Sequence, residues 1–185
     1  MGRRYDPERR QRIIDAAIRV VGRKGLAGLT HRTVAAEAGV PLGSTTYHFK
    51  TLDDLMAAAL RQADEGFTKV VASRGALEDP DTDLAAELAA GIGEWLAGDR
   101  TGAELEYELY LAALRRPALR PVAAEWAQDL ADRLTPRTDP VTARALVALL
   151  DGICLRVLLT DESYDEEYAR EVLARIIPPD PRQAA

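Results

Sequence analysis

Short hydroxyl, aromatic and basic side chains are concentrated in one stretch near the N-terminus. Pro41–Phe49 reads PLGSTTYHF and is followed by Lys50, while Thr30, Arg32 and Thr33 come shortly before it. Hydroxyls and small residues allow close approach and hydrogen bonding, whereas tyrosine, histidine and lysine are common partners of phosphate groups. These side chains are suited to the surface of a polyanion.

The charge of the chain is divided unevenly along the sequence. Residues 1–50 carry ten Lys/Arg and four Asp/Glu, so this segment has a net charge of +6 in a chain whose total is −6. A basic segment joined to an acidic one indicates a polyanion-binding domain followed by a domain that avoids polyanions. A solvated, charged helix surface is the alternative explanation of the same pattern.

The spacing of apolar residues predicts helices around the basic segment. Asp6-Pro7 is expected to start a first helix and Gly25 to end it. Thr30 is expected to cap a short second helix, HRTVAAEA, and Gly39 to take the left-handed conformation after it. The turn GVP is too short for anything but another helix packed across this one. A helix, a tight turn and a helix form a DNA-reading geometry.

The rest of the chain also has helical patterns, and we predict no strand in it. Thr51 is expected to cap a fourth helix with Asp53 and Asp54 in its first turn. We therefore predict an all-α protein with a three-helix DNA-binding domain at residues 1–50, a connecting helix at 51–74, and a helical domain at 75–185.

The span Thr30–Leu55, THRTVAAEAGVPLGSTTYHFKTLDDL, resembles the DNA-binding signature of the TetR family of bacterial transcription regulators. Pro41, Leu42 and Leu52 depart from the family pattern, which often has Ser or Thr at the first of these positions and Lys at the other two. The resemblance implies a dimer that binds a palindromic operator on double-stranded DNA. It also implies a small-molecule effector that releases the DNA, and a repressor rather than an activator.

The expected DNA contacts lie on the second and third helices and on the residues beside them. Phe49 is expected to lie in the core; Thr46 could face inward or touch a thymine methyl group, and His48 could bind phosphate or be an ordinary surface residue. The candidate DNA-binding residues are Thr30, Arg32, Thr33, Leu42, Gly43, Ser44, Thr45, Tyr47, His48 and Lys50.

A long apolar stretch, Asp139–Leu159, is expected to form a dimer interface with the helix that follows it, because one of its faces could not be covered by one chain alone. Ser163 and Glu166 have the spacing of a capping box for that second helix. An ordinary intrachain core remains the alternative. The interface candidates are Leu146, Leu150, Ile153, Val157, Tyr168, Val172 and Ile176.

An effector pocket is expected between these two regions, where aromatic and acidic residues recur at helical spacing. Aromatic rings and carboxylates suit an apolar or cationic ligand, although each ring could instead be part of the core. Cys154, the only cysteine, is expected to be a small buried residue rather than a reactive thiol. The pocket candidates are Trp95, Glu104, Tyr107, Glu108, Tyr110, Leu111, Trp126 and Cys154.

The sequence argues against several other classes of protein. We find no catalytic motif, no phosphate-binding glycine loop and no metal-ligand spacing, so we expect no enzymatic activity, no cofactor and no metal. Charged residues interrupt the apolar runs, and the N-terminus does not resemble a signal peptide, so we expect a cytoplasmic protein with no membrane partner. The alternative is a helical interaction domain or an enzyme without sequence-specific DNA binding.

Overall fold

The computed structural model describes residues 7–63, 65–75, 77, 79–98, 100–160 and 162–178. These residues form α-helices and short 3-10 turns without any strand, so the prediction of an all-α fold is confirmed. The helices are α1 Arg9–Lys24, α2 His31–Ala38, α3 Leu42–His48, α4 Leu52–Ala63, α5 Glu65–Ser73, α6 Leu84–Gly98, α7 Arg100–Leu111, α8 Arg120–Leu134, α9 Pro140–Leu159 and α10 Glu166–Ile176.

The chain divides into two compact units that do not follow its order. The head unit comprises Met1–Ala63 and Glu104–Ala123, and the body unit comprises Asp64–Ala103 and Ala124–Ala185. Most of α7 and the first residues of α8 therefore belong to the same unit as α1–α4. The 3-10 turns at 112–114 and 117–119 join α7 to α8 within the head unit.

The core of the head unit is built on α1. This helix buries a stripe of residues at helical spacing: Ile13, Ile14, Ala16, Ala17, Val20 and Val21. It begins at Arg9 with Glu8 as its N-cap residue, so the predicted start at Asp6-Pro7 is too early. Pro7 lies in a turn, and Asp6 lies outside the described residues. Gly25 ends the helix as predicted, with a φ of 64° that an L-residue adopts only under strain.

Helix α4 begins with reciprocal hydrogen bonds between Thr51 and Asp54. The Asp54 amide donates to the Thr51 hydroxyl at 3.0 Å, and the Thr51 amide donates to an Asp54 carboxylate oxygen at 2.9 Å. The hydrogen bonds from Thr51 hold the pKa of Asp54 below its usual value. The predicted cap is confirmed, and it fixes the point where the chain leaves α3.

The body unit is centred on α6, whose buried residues include Leu88, Ile92 and Trp95. The Trp95 ring meets Phe67 of α5 edge to face, with ring centroids 5.7 Å apart. Arg74 at the end of the α5 segment pairs with Glu87 at 2.9 Å. These contacts hold α5 against α6 through both apolar packing and charge.

Helix α10 begins differently from the prediction. Its N-cap residue is Asp165, whose carboxylate accepts a hydrogen bond from the Tyr168 amide at 2.9 Å, so the predicted Ser163–Glu166 capping box is wrong. Tyr164 lies between these positions, and its hydroxyl donates to the Ala89 carbonyl oxygen at 2.6 Å. Burial raises the pKa of this phenol above its usual value. Because Tyr164 reaches back to α6, the helix starts only after it.

Candidate DNA-binding surface and effector region

Helix α2 is fixed at both ends by local hydrogen bonds. The Thr30 hydroxyl accepts from the Thr33 amide at 3.0 Å, and the Thr33 hydroxyl accepts from the Thr30 amide at 2.9 Å. The Thr33 hydroxyl also donates to the Gly28 carbonyl oxygen at 2.9 Å. Gly39 follows the helix with φ 63° and ψ 35°, the predicted left-handed conformation. Thr30 and Thr33 therefore have a demonstrated capping role, and their contact with DNA remains a prediction.

Helix α3 exposes one of its sides and buries the other. On the exposed side, Leu42 is 46% and Tyr47 is 81% accessible, and Gly43 has open space where a Cβ would lie. The Tyr47 ring meets His48 edge to face at 5.2 Å, and His48 is half-buried. Thr46 is exposed as well. Gly43 and Thr46 thus leave little bulk at their positions on the exposed side of this seven-residue helix, which allows close approach to a duplex there.

The buried side of α3 corrects two of the predicted DNA contacts. Ser44 is 3% and Thr45 is 0% exposed, and the Thr45 hydroxyl donates to the Leu42 carbonyl oxygen at 2.8 Å. A short helix must bury one side to stay in place, and these positions share that side with Phe49, the predicted core residue. Thr46 lies on the other side, so an inward position for it is also wrong.

Basic residues lie on the elements that precede and follow α3. Arg32 of α2 and Lys50 after α3 are exposed. The guanidinium of Arg10 lies 5.1 Å from the centre of the Phe49 ring, which places a cation beside the end of α3.

The acidic residue of α2, Glu37, forms ion pairs with α1. Glu37 pairs with Arg19 at 2.8 Å and also with Arg23, and the Arg19 hydrogen bond is the main cause of its lowered pKa. The carboxylate therefore stays ionised and offsets part of the positive charge of α1.

The acidic residues of α7 occupy three different environments. Glu104 is exposed, whereas Glu106, which the sequence analysis missed, is only 3% exposed. Glu108 is half-buried, and its Oε1 accepts a hydrogen bond from the Leu26 amide at 2.8 Å. Glu106 shares a helix face with Tyr110, four residues later, and this spacing is a signal that could have identified it.

Aromatic residues of α7 lie close to that buried carboxylate in the sequence. Tyr107 is buried, and its ring meets Tyr110 edge to face with centroids 6.3 Å apart. An open cavity of about 390 Å³ lies within the head unit at the turn between α7 and α8. It is lined by Tyr110, Leu111, Ala113, Leu114, Arg120 and Ala123.

The remaining pocket candidates belong to the body unit. Trp95 and Cys154 are buried, and Trp126 is half-buried. Trp95 packs on Phe67 within the core of that unit, and Cys154 has the buried position that the sequence predicted. The predicted pocket residues therefore belong partly to the head unit and partly to the body unit, and their role in one effector pocket remains a prediction.

The candidate dimer residues also divide into two groups. Leu146, Leu150 and Ile153 are buried in the chain's own core, so their prediction as interface residues is wrong. The side of α9 that they occupy is covered by the chain itself. Val157 and Val172 are half-buried, while Tyr168 and Ile176 are exposed.

The described residues contain no group of three or more His, Cys, Asp or Glu side chains that could hold a metal ion. Within the same part of the chain, no helix is long and apolar enough to cross a membrane.

Comparison with known families finds two matching models. Residues 13–59 match the family described as "Bacterial regulatory proteins, tetR family", and residues 79–179 match "Tetracyclin repressor-like, C-terminal domain". A curated relative, HTH-type transcriptional regulator BetI 2 of Chromohalobacter salexigens, is 31% identical, and the match covers 89% of this chain and 84% of the relative.

Solved structures agree with these matches. The multidrug binding protein EbrR complexed with imidazole is 77% identical with a TM-score of 0.92, and the match covers 98% of this chain and 96% of that one. Its ethidium complex is 78% identical with a TM-score of 0.88 and covers 93% and 100% of the two chains. Structures of EbrR with proflavin and with malachite green also match.

These matches cover the capped α2, the exposed side of α3 and the helices that follow. The chain belongs to the TetR family of bacterial transcription regulators, as the sequence of residues 30–55 predicted.

Proposed function

We propose that this regulator binds a palindromic operator as a dimer, represses transcription from it, and is released by aromatic cations. The observation that carries the DNA-binding part is the exposed side of α3. Leu42, Gly43, Thr46 and Tyr47 lie there on a helix whose other side is buried, next to a helix fixed by its own cap. This is the arrangement that lets a recognition helix enter a major groove.

Contacts around the recognition helix would hold it on the duplex. Tyr47, His48 and Lys50 are proposed to bind phosphates after α3, and Arg32 to contact the adjacent backbone from α2. Thr30 and Thr33 would act by presenting the start of α2, since their hydroxyls already bond to each other's amides. Basic and aromatic contacts of this kind set the position of the helix and make the affinity depend on salt.

Dimerisation is proposed through the accessible side of α9 and through α10. Every third or fourth residue of α9 forms an accessible stripe of small and apolar side chains: Val141, Ala145, Ala148, Gly152, Leu155 and Leu159. Val141 is 68% and Leu159 is 75% exposed, and Tyr168 and Ile176 add exposed apolar area on α10. Small residues allow two helices to approach closely, so a second copy of the chain would cover this stripe.

The proposed effectors follow from the EbrR complexes and from one buried group. Ethidium, proflavin and malachite green, the ligands in those structures, are aromatic cations. Glu106 is a buried acidic side chain one turn from Tyr110 on α7, and an acidic group together with aromatic rings suits a cation better than a neutral molecule. Glu106, Tyr107 and Tyr110 are therefore the proposed effector residues, whereas Glu104 is exposed.

In this proposed role the chain binds DNA and an effector rather than catalysing a reaction, and it acts in the cytoplasm, where a bacterial operator lies. The first test is selection of bound sequences from genomic duplexes. We expect a palindromic site whose affinity falls steeply as salt rises. Binding that ignores sequence would overturn the proposal.

Release should then be tested with malachite green, because ethidium and proflavin intercalate into duplex DNA by themselves. We expect the dye to raise the operator Kd of the wild-type chain. Glu106→Gln should lower the affinity for the dye more than the affinity for the operator, and Glu104→Gln is the matched control on the exposed side of α7. Equal dye affinity in all three proteins would exclude Glu106 from the effector site.

A further inference from the structure

We propose that Glu108 and Arg116 couple effector binding to the DNA-binding surface, and that Glu108 is not itself an effector ligand. The two side chains fix the segment Glu104–Ala123 to the helix-turn-helix at two separate points. This inference rests on the proposed function, because coupling requires that the chain bind both an operator and an effector.

The first anchor joins α7 to the turn before α2. Oε1 of Glu108 accepts the hydrogen bond from the Leu26 amide at 2.8 Å. A Cβ on Gly25 would lie 3.4 Å from the same oxygen, which is van der Waals contact, so the carboxylate packs closely against this turn. A charged acceptor on a backbone donor makes a stronger bond than a neutral one. This bond fixes α7 to the chain only four residues before the Thr30 cap.

The second anchor joins the turn after α7 to the start of α4. A guanidinium nitrogen of Arg116 lies 2.6 Å from Oδ1 of Asp53, and both side chains are half-buried. Asp53 is in the first turn of α4, directly after the Thr51 cap that ends the α3 connection. The two anchored positions, Leu26 and Asp53, therefore enclose α2 and α3 in the sequence.

The proposed effector residues lie beside and between the same two anchors. Tyr107 directly precedes Glu108, and Tyr110 follows it by two residues and lines the cavity before Arg116. A ligand that moves this part of α7 must also move the acceptor of the Leu26 amide. Coupling of this kind needs only that the effector prefers one position of the segment over another.

The test compares operator release in anchor variants and in matched controls. Glu108→Ala and Arg116→Ala each remove one anchor, and Glu108→Gln keeps an oxygen that can accept from Leu26. Glu104→Ala and Arg115→Ala change exposed residues of the same types in the same segment. For each protein, the operator Kd is measured with and without malachite green, and the dye Kd is measured separately.

We expect malachite green to raise the operator Kd of the wild type and of both controls by the same factor. In Glu108→Ala this factor should fall about tenfold while the dye still binds. If the wild-type factor is itself below about ten, it should fall to one, which means no coupling. Glu108→Gln should keep a larger part of the coupling. The double variant Asp53→Arg and Arg116→Asp reverses the charges of the second anchor and should restore the coupling that Arg116→Ala loses. If Arg116→Ala lost coupling only because it unfolded, this reversal would not restore it.

Two results would overturn the inference. If Glu108→Ala releases the operator as the wild type does, Glu108 has no coupling role, although the proposed function stands. If Glu108→Ala loses dye binding and retains coupling at saturating dye, Glu108 is an effector ligand instead. A wild-type chain that binds neither operator nor dye would contradict the proposed function as well.

Discussion

The two helices of the helix-turn-helix are stabilised in different ways. Helix α2 carries a reciprocal cap at Thr30 and Thr33 and ends at a left-handed glycine. Helix α3 has no side-chain cap at Pro41 and contains Gly43 and adjacent threonines, which favour helix weakly. The supporting helix therefore holds its own shape, whereas the recognition helix is held by what it buries. Its exposed residues are consequently free to serve DNA binding.

Removing the buried support of α3 should have the largest effect. Phe49→Ala is expected to destabilise the head unit by about 3–5 kcal/mol, because the ring is almost fully buried and leaves a cavity. Hydrogen exchange of the α3 and α4 amides measures this loss. Tyr47→Ala, an exposed aromatic two residues earlier, is the control and should leave exchange nearly unchanged. Equal protection in both variants would show that α3 does not depend on Phe49.

The same Tyr47→Ala variant should affect DNA binding instead. We expect the operator Kd to rise about tenfold, which corresponds to about 1.4 kcal/mol for a lost phosphate contact. The effect should be similar for different operator sequences, because phosphate contacts carry no base information. A mobility-shift titration measures it, and a rise confined to one sequence would assign Tyr47 to base reading.

Removal of the α2 cap tests whether this helix, unlike α3, depends on its own capping hydrogen bonds. Thr30→Ala should cost about 1 kcal/mol of head-unit stability, because the Thr33 amide loses its acceptor. Thr46→Ala is the matched control in α3, since the Thr46 hydroxyl makes only a long 3.4 Å bond to the Gly43 carbonyl. Chemical denaturation followed by circular dichroism compares them. Equal losses would remove the distinction between a capped and a supported helix.

The smallest expected effect concerns how α3 reads bases. Leu42–His48 contains no Arg, Lys, Asn, Gln, Asp or Glu, the side chains that pair most specifically with base edges. We therefore expect α3 to read bases partly through apolar contact between Leu42 and a thymine methyl group. Leu42→Ala should weaken operator binding about fourfold, as expected for about 0.8 kcal/mol per buried methyl-sized group. Replacing thymine by uracil at the contacted position should give a similar loss in the wild type. It should give no further loss in Leu42→Ala, and additive losses would contradict this contact.

The sequence predicted those parts of the fold that depend on local chemistry. Thr30, Gly25 and Gly39 were identified correctly because a cap and a left-handed turn need only neighbouring residues. The start of α10 was placed wrongly because Tyr164 bonds to Ala89, which is distant in the sequence. Local patterns therefore identify where most helices start and end, and long-range contacts shift the exceptions.

The candidate site was harder to predict because exposure depends on packing between helices. Ser44 and Thr45 have suitable chemistry for DNA but are buried, whereas Thr46 is exposed. On α7, Glu108 was selected as a pocket residue, yet its oxygen is bonded to an amide of the α1–α2 turn. The apolar face of α9 was recognised, but the sequence did not distinguish the side that its own core covers.

The division of α3 into a buried and an exposed side also determines how the regulator can acquire new targets. Leu42, Gly43 and Thr46 contribute little to the packing of the head unit, so they can be exchanged without unfolding it. The buried residues Ser44, Thr45 and Phe49 must be kept while the exposed positions are exchanged. A library randomised at only the exposed positions should therefore yield folded variants with altered operator preference, and gene duplicates could diverge by the same route.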